Sequence, residues 1–270
     1  PRFILEGELI VGSRTLYAVI HDKNDPDCVL SKNLDFSPDA ETLAVENPGF
    51  EFYPSYLTDH EKAKGSSVGI DEGYVTSHCA AGFERVLNKG FGGLREETME
   101  SLDRYGDYPE KKDFLESVLI IIDGIKDFIN QYASLADSLA TQSLDSDQSN
   151  EFRTIAAVCN NIKEKPAKTF HEALQLTWFT HLFMLMESYN LMSLGRPDQY
   201  LLPFYLKDIQ SGRLEKEEAL ELLSCFFIKL NDSSDLHTDN GLNIIISGVK
   251  PDGTDGTNEL SWLFIEAYET

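Results

Sequence analysis

The reading of the whole chain turns on residues 166–205, PAKTFHEALQLTWFTHLFMLMESYNLMSLGRPDQYLLPFY. Thr169 and Glu172, three residues apart, spell a capping box, in which each side chain satisfies a free backbone amide of a helix's first turn. Behind it, Phe170, Ala173, Leu174, Trp178, His181, Leu182 and Leu185 recur at helical spacing and predict a wide apolar face. The pattern then breaks. A polar segment from Glu187 to Pro203 carries Gly195, Arg196, Pro197 and Asp198, after which the apolar residues resume at once. Gly195 permits a sharp backbone and Pro197 stiffens it. Arg196 and Asp198 read as an internal salt bridge that fixes the turn, and so as structural residues.

Downstream, Leu201–Leu206 and then Ala219, Leu222, Leu223, Phe226 and Leu230 predict further helices. LNIIISG, Leu242 to Gly248, is a continuous apolar run of the kind found in a strand covered on both faces. VKPDGTDG is a turn, and Asn258 to Tyr268 opens a last helix. Upstream, Phe152, Ile155 and Val158 mark a short helix, and Phe114, Val118, Ile121, Ile125, Phe128 and Tyr132 a long one after Pro109. Phe83, Val86, Leu87, Phe91 and Leu94 keep helical steps, while Gly90, Gly92 and Gly93 predict a helix, a turn and a second helix. From Asp22 to Gly73 the pattern dissolves into a long loop pinned by Phe50, Phe52, Tyr53 and Tyr56. FILEGELIVG and LYAVI near the start suit one or two short strands. Helices dominate and strands are few, as in a helical layer feeding an α/β sheet.

With 270 residues and 41% apolar content the chain can bury a large core. Its 46 acidic against 23 basic residues give a net charge of −23, a field that repels phosphates and argues against nucleic-acid and membrane partners. No apolar run reaches membrane-spanning length. Cys28, Cys79, Cys159 and Cys225 are far apart with no metal-ligand spacing, and read as reduced thiols of a cytosolic protein. The chain starts without Met and stops inside the helical pattern WLFIEAYET, as a piece of something longer would.

The chemistry-bearing residues are sparse. No nucleophile elbow or phosphate loop occurs, and GFGG lacks the flanking strand that dinucleotide binding requires. His21, His60, His78, His171, His181 and His237 are dispersed, and DGTDGTNE departs from the calcium-loop order, so no metal site is expected. His78 is the best single candidate for a ligand contact, because GYVTSHCAAGFERVL places it where a β-like stretch turns into a helix.

VTSHCAAGFERVLNKGFGGLREE, PAKTFHEALQLTWFTHLFMLMESYN, SLGRPDQYLLPFYLKDIQSGRL and IISGVKPDGTDGTNELSWLFIEA, in this order, resemble segments of the glycyl radical enzymes, the family of pyruvate formate-lyase. The likeness is dense from Pro166 to Ala267. It implies an α/β fold, helix-rich in this segment and part of a ten-stranded barrel of two five-stranded halves. Residues 1–73 would form an irregular entry region, 74–165 a helical layer, and 166–270 a helix and barrel-strand segment. It further implies a cytoplasmic, anaerobic lyase or dehydratase of a small metabolite, usually a homodimer. In this family an iron–sulfur, S-adenosylmethionine-dependent activating enzyme installs a protein glycyl radical, whose spin passes to a cysteine that attacks the substrate. Neither the Gly-Cys-x-Glu thiyl loop nor the Arg-Val-x-Gly radical motif occurs here, so these residues alone are expected to be inactive and to bind no cofactor. By the same resemblance His78 hydrogen-bonds the substrate, and Asn190 and Ser193 are the nearest polar residues to line the pocket. The segment SYNLMS is shorter than the family pattern and lacks the His-Ser pair of some dehydratases, which argues against glycerol dehydratase chemistry. The competing expectation is a non-catalytic relative that uses the half-barrel to bind a partner.

Overall fold

The computed structural model describes residues 4–5, 7–12, 79–186, 192–232 and 243–269, together with Thr58, His60, Glu61 and Lys64. The chain divides into two compact units, Leu16–Ser77 and a larger one made of Pro1–Thr15 with His78–Thr270. The predicted loop at Asp22–Gly73, apart from those four residues, and the LYAVI strand lie outside the described residues, as do His78 and Asn190. In the smaller unit Thr58 and Glu61 bond reciprocally, the Glu61 amide donating to the Thr58 hydroxyl and the Thr58 amide to the Glu61 carboxylate.

The larger unit runs β1 (Cys79–Ala80), α1 (Phe83–Tyr105), α2 (Pro109–Gln142), α3 (Ser146–Ile162), α4 (Phe170–Met186), β2 (Met192–Ser193), α5 (Pro197–Tyr200), α6 (Leu202–Gln210), α7 (Lys216–Asp232) and α8 (Glu259–Glu269). The expected capping box starts α4: the Glu172 amide donates to the Thr169 hydroxyl at 3.2 Å, and the Thr169 amide to the Glu172 carboxylate at 3.3 Å. The apolar face predicted for this helix is buried, and so are Leu176, Thr177, Phe179 and Gln175 on its other sides. That all-round burial follows from its place, since α1, α3, α6, α7 and β2 all pack against it.

The glycine cluster at 90–93 interrupts α1 as expected: two helical pieces meet at a kink at Gly90. Gly90 has φ 67° and ψ 171°, a backbone region open essentially to glycine alone. A Cβ there would lie 2.4 Å from the Lys165 carbonyl carbon, because residues 164–167 cross the kink and bond to it through Gly92 N–H and Leu87 C=O. Gly90→Ala is therefore expected to cost about 2–3 kcal/mol, from strain plus forced separation of two backbones. Urea unfolding measures it, and a change under about 1 kcal/mol would refute the packing.

The stripe predicted on α2 needs correction. Ile122, Ile129, Tyr132, Ala133, Ala136 and Ala140 are buried, whereas Phe114 is 67% and Ile121 57% exposed. The 34-residue helix is about 51 Å long, twice the length of α3, so its first turns extend past the partner that buries the rest.

The strands differ most from expectation. FILEGELIVG forms no strand among its described residues; the chain turns there, with the Glu8 amide donating to the Leu5 carbonyl and the Leu9 amide to the Gly7 carbonyl. β1 and β2 pair in parallel, Cys79 with Met192 and Ala80 with Ser193. The chain continues the pairing through Gly195 and Ile244, with the Leu194 amide donating to Asn243 and the Ile245 amide to Gly195. The apolar run is covered on one face only among its described residues 243–248: Ile244 and Ile246 pack against the core, whereas Ile245 between them is 57% exposed.

Candidate functional site

At the C-terminal ends of these parallel segments a polar node ties three parts of the chain together. Gly195 has φ 67°, the left-handed turn predicted for it. Arg196 donates to the carbonyls of Val249, at 3.1 Å, and Ser247. Asp198, with no exposed surface, accepts from the Ser247 amide at 2.7 Å, the Ser261 hydroxyl at 2.5 Å and the Gln199 amide at 2.9 Å. Arg196 and Asp198 therefore do not pair with each other. Each reaches about fifty residues along the chain for partners that local reading could not supply.

Asp198 holds Ser247 at φ 63°, the one described non-glycine residue with positive φ. Asn258 completes the node: its amide donates to the carbonyls of Asp198 and Gly256, and its side-chain oxygen caps α8 by accepting from the Leu260 and Ser261 amides. Gly256 is required beside it, since a Cβ there would lie 2.7 Å from the Gly248 carbonyl oxygen. The hydroxyl of Tyr200 donates to the Leu194 carbonyl, and burial, helped by Asp198, pushes its pKa well up, so it stays a donor. Ser247, Gln199 and Ser261 were not singled out in the sequence. The spacing of Asn258 to Ser261, a helix start facing an acidic turn, was the available signal.

Of the substrate-binding candidates, Ser193 is half-buried on β2 opposite Ala80. His78 and Asn190 precede the paired residues Cys79 and Met192 by one and two positions. No group of His, Cys, Asp and Glu among the described residues could hold a metal. Burial raises the Cys225 thiol and pushes Cys159 up to about 12, so neither is a thiolate at neutral pH.

Burial also sets the charge state of α4. His181 is 1% exposed, its Nδ1 has no hydrogen-bond partner, and burial lowers its pKa from 6.5 to about 4. His171 is lowered chiefly by burial as well, against a bond to the Leu9 carbonyl that raises it. The unfolded chain binds these protons near pH 6.5 and the folded chain does not, so stability is full above that pH. It falls as pH drops from 6.5 toward 4, by up to roughly 3 kcal/mol for His181. His181→Leu should flatten this acid limb in a Tm-against-pH series and leave stability at pH 7 unchanged or higher. An unaltered limb would remove His181 as its cause.

A family model described as pyruvate formate lyase-like matches residues 49–270. Isethionate sulfite-lyase from Nitratidesulfovibrio vulgaris is 37% identical over 203 residues, 68% of this chain and 24% of that protein. Trans-4-hydroxy-L-proline dehydratase from Clostridioides difficile is 30% identical over 236 residues, 80% of this chain and 29% of the other. The glycerol-bound B12-independent glycerol dehydratase from Clostridium butyricum superposes with a TM-score of 0.77 at 27% identity, over 100% of this chain and 39% of that one. The chain thus spans about a quarter of the length of the curated relatives it matches.

Proposed function

The chain belongs to the pyruvate formate lyase-like family of glycyl radical enzymes, and on that premise we propose that it forms part of a glycyl radical lyase or dehydratase acting on a small polar metabolite. The observation that carries this reading is the parallel pairing of Cys79–Ala80 with Met192–Ser193. It sets the residues that follow His78 and Asn190 side by side at one end of one sheet. In this reading His78 donates to or accepts from a substrate oxygen, Asn190 and Ser193 orient it, and Gly195, Arg196 and Asp198 hold the strand ends in place.

The finer assignments rest on the same reading. The parallel segments belong to a ten-stranded barrel, with residues 1–73 its entry, 74–165 its helical layer and 166–270 its first helix and strands. The exposed side chains of Ile245 and Val249 fit a face that the rest of such a barrel covers. The whole protein is a cytoplasmic homodimer that carries a glycyl radical installed by an S-adenosylmethionine-dependent activating enzyme, and it binds neither nucleic acid nor membrane. Among the described residues no helix is long and apolar enough to cross a membrane.

The test is made on the full-length protein under strict anaerobiosis. Incubation with an activating enzyme should give the doublet spectrum of a glycyl radical, and isethionate, trans-4-hydroxy-L-proline and 1,2-propanediol would then be offered as substrates. Metabolite binding without any radical would turn the reading to a non-catalytic binding module.

A further inference from the structure

The arm at residues 7–12 is held by α4 and α7 as a peptide is held by a receptor, and we propose that the groove between these helices is a peptide-binding site. Its ligand is an acidic-then-apolar segment of the pattern Gly-Glu-x-Ile-Val-Gly, supplied here by the chain itself. This goes beyond the radical chemistry and does not depend on it.

Ile10 and Val11 join the hydrophobic core, and the backbone around them is bound by side chains of α4 as well. His171, Gln175 and Trp178 lie on one face of α4 and touch Leu9, Val11 and Gly12 in the same order. Gln175 accepts from the Val11 amide at 2.8 Å and donates to the Val11 carbonyl at 2.7 Å. One side chain thus reproduces both bonds of a sheet rung, which is why the arm needs no strand beside it. His171 Nε2 bonds the Leu9 carbonyl at 2.7 Å, and Trp178 donates to the Gly12 carbonyl at 3.0 Å.

These contacts read backbone, and four positions read sequence. Glu8 pairs with Lys229 of α7, and both side chains are nine-tenths buried. Ile10 and Val11 have no exposed surface. Gly12 has φ 119°, and a Cβ there would sit 2.9 Å from the Phe179 ring. The arm is joined to β1 only through the unit Leu16–Ser77, so its docking is not imposed by a short covalent link.

The experiment keeps the folded chain. A specific protease site is inserted between Lys23 and Asn24 and cut after folding. The released 1–23 piece should remain with the rest through gel filtration and exchange with an excess of a labelled peptide of residues 1–15. Peptides carrying Gly12→Ala or Glu8→Gln should compete roughly tenfold more weakly or worse, the first through overpacking and the second by leaving Lys229 buried without its carboxylate. Loss of the piece on cutting while helical circular dichroism persists would overturn the proposal. So would equal competition by all three peptides, failure of the piece to exchange, or loss of helical signal when it does; the last two would make the arm a core element and not a ligand.

Discussion

Asp198→Ala should lower the unfolding free energy of the protein by about 4 kcal/mol, because one buried carboxylate serves three elements at once. The substitution leaves the Ser247 amide and the Ser261 hydroxyl without their acceptor. It also removes the bond that holds Ser247 in its left-handed conformation, which for serine costs about 1–2 kcal/mol. Asp198→Asn retains one oxygen acceptor and should lose less than half as much. Urea denaturation of the two variants measures both values, and Asn should fall between wild type and Ala. A loss of under about 1 kcal/mol for Ala would mean that the node is decoration on a turn held by other forces.

His78→Ala in the full-length enzyme should reduce kcat/KM by about 10- to 100-fold, the usual effect of removing a positioned polar group from a reacting oxygen. The expectation rests on the proposed substrate contact of His78 and on the β1–β2 pairing, which begins at the residue after it. The radical signal should be unchanged in the variant, since His78 is assigned to the substrate and not to the radical. Unaltered kinetics would take His78 out of the site. A lost radical signal would instead show damage to the fold or to activation.

The helices were legible because their signals are local. Thr169 and Glu172 spell a cap within one turn, Pro109 starts α2, and the periodic apolar residues of α4 and α7 declare themselves within a few residues. Gly90 marked an interruption, although only the crossing of residues 164–167 explains why glycine is needed there. The reach of α2 beyond α3 was not legible, because periodicity reports which face is apolar and not where the neighbouring helix stops. His78 stood out as a ligand contact from its place where a β-like stretch turns into a helix, whereas its substrate role and the choice of Asn190 came through resemblance.

By itself, then, the sequence determined the helical composition, the caps, the turn at Gly195 and the order of segments that marks the family, all of which depend on residues a few positions apart. Tertiary structure decided the partners of Arg196 and Asp198, the one-sided pairing of residues 243–246, and the docking of the arm on Gln175. The physical reason is the same in each case. A buried donor or acceptor must find a partner, and when that partner lies fifty or more residues away, only the folded chain brings the two together.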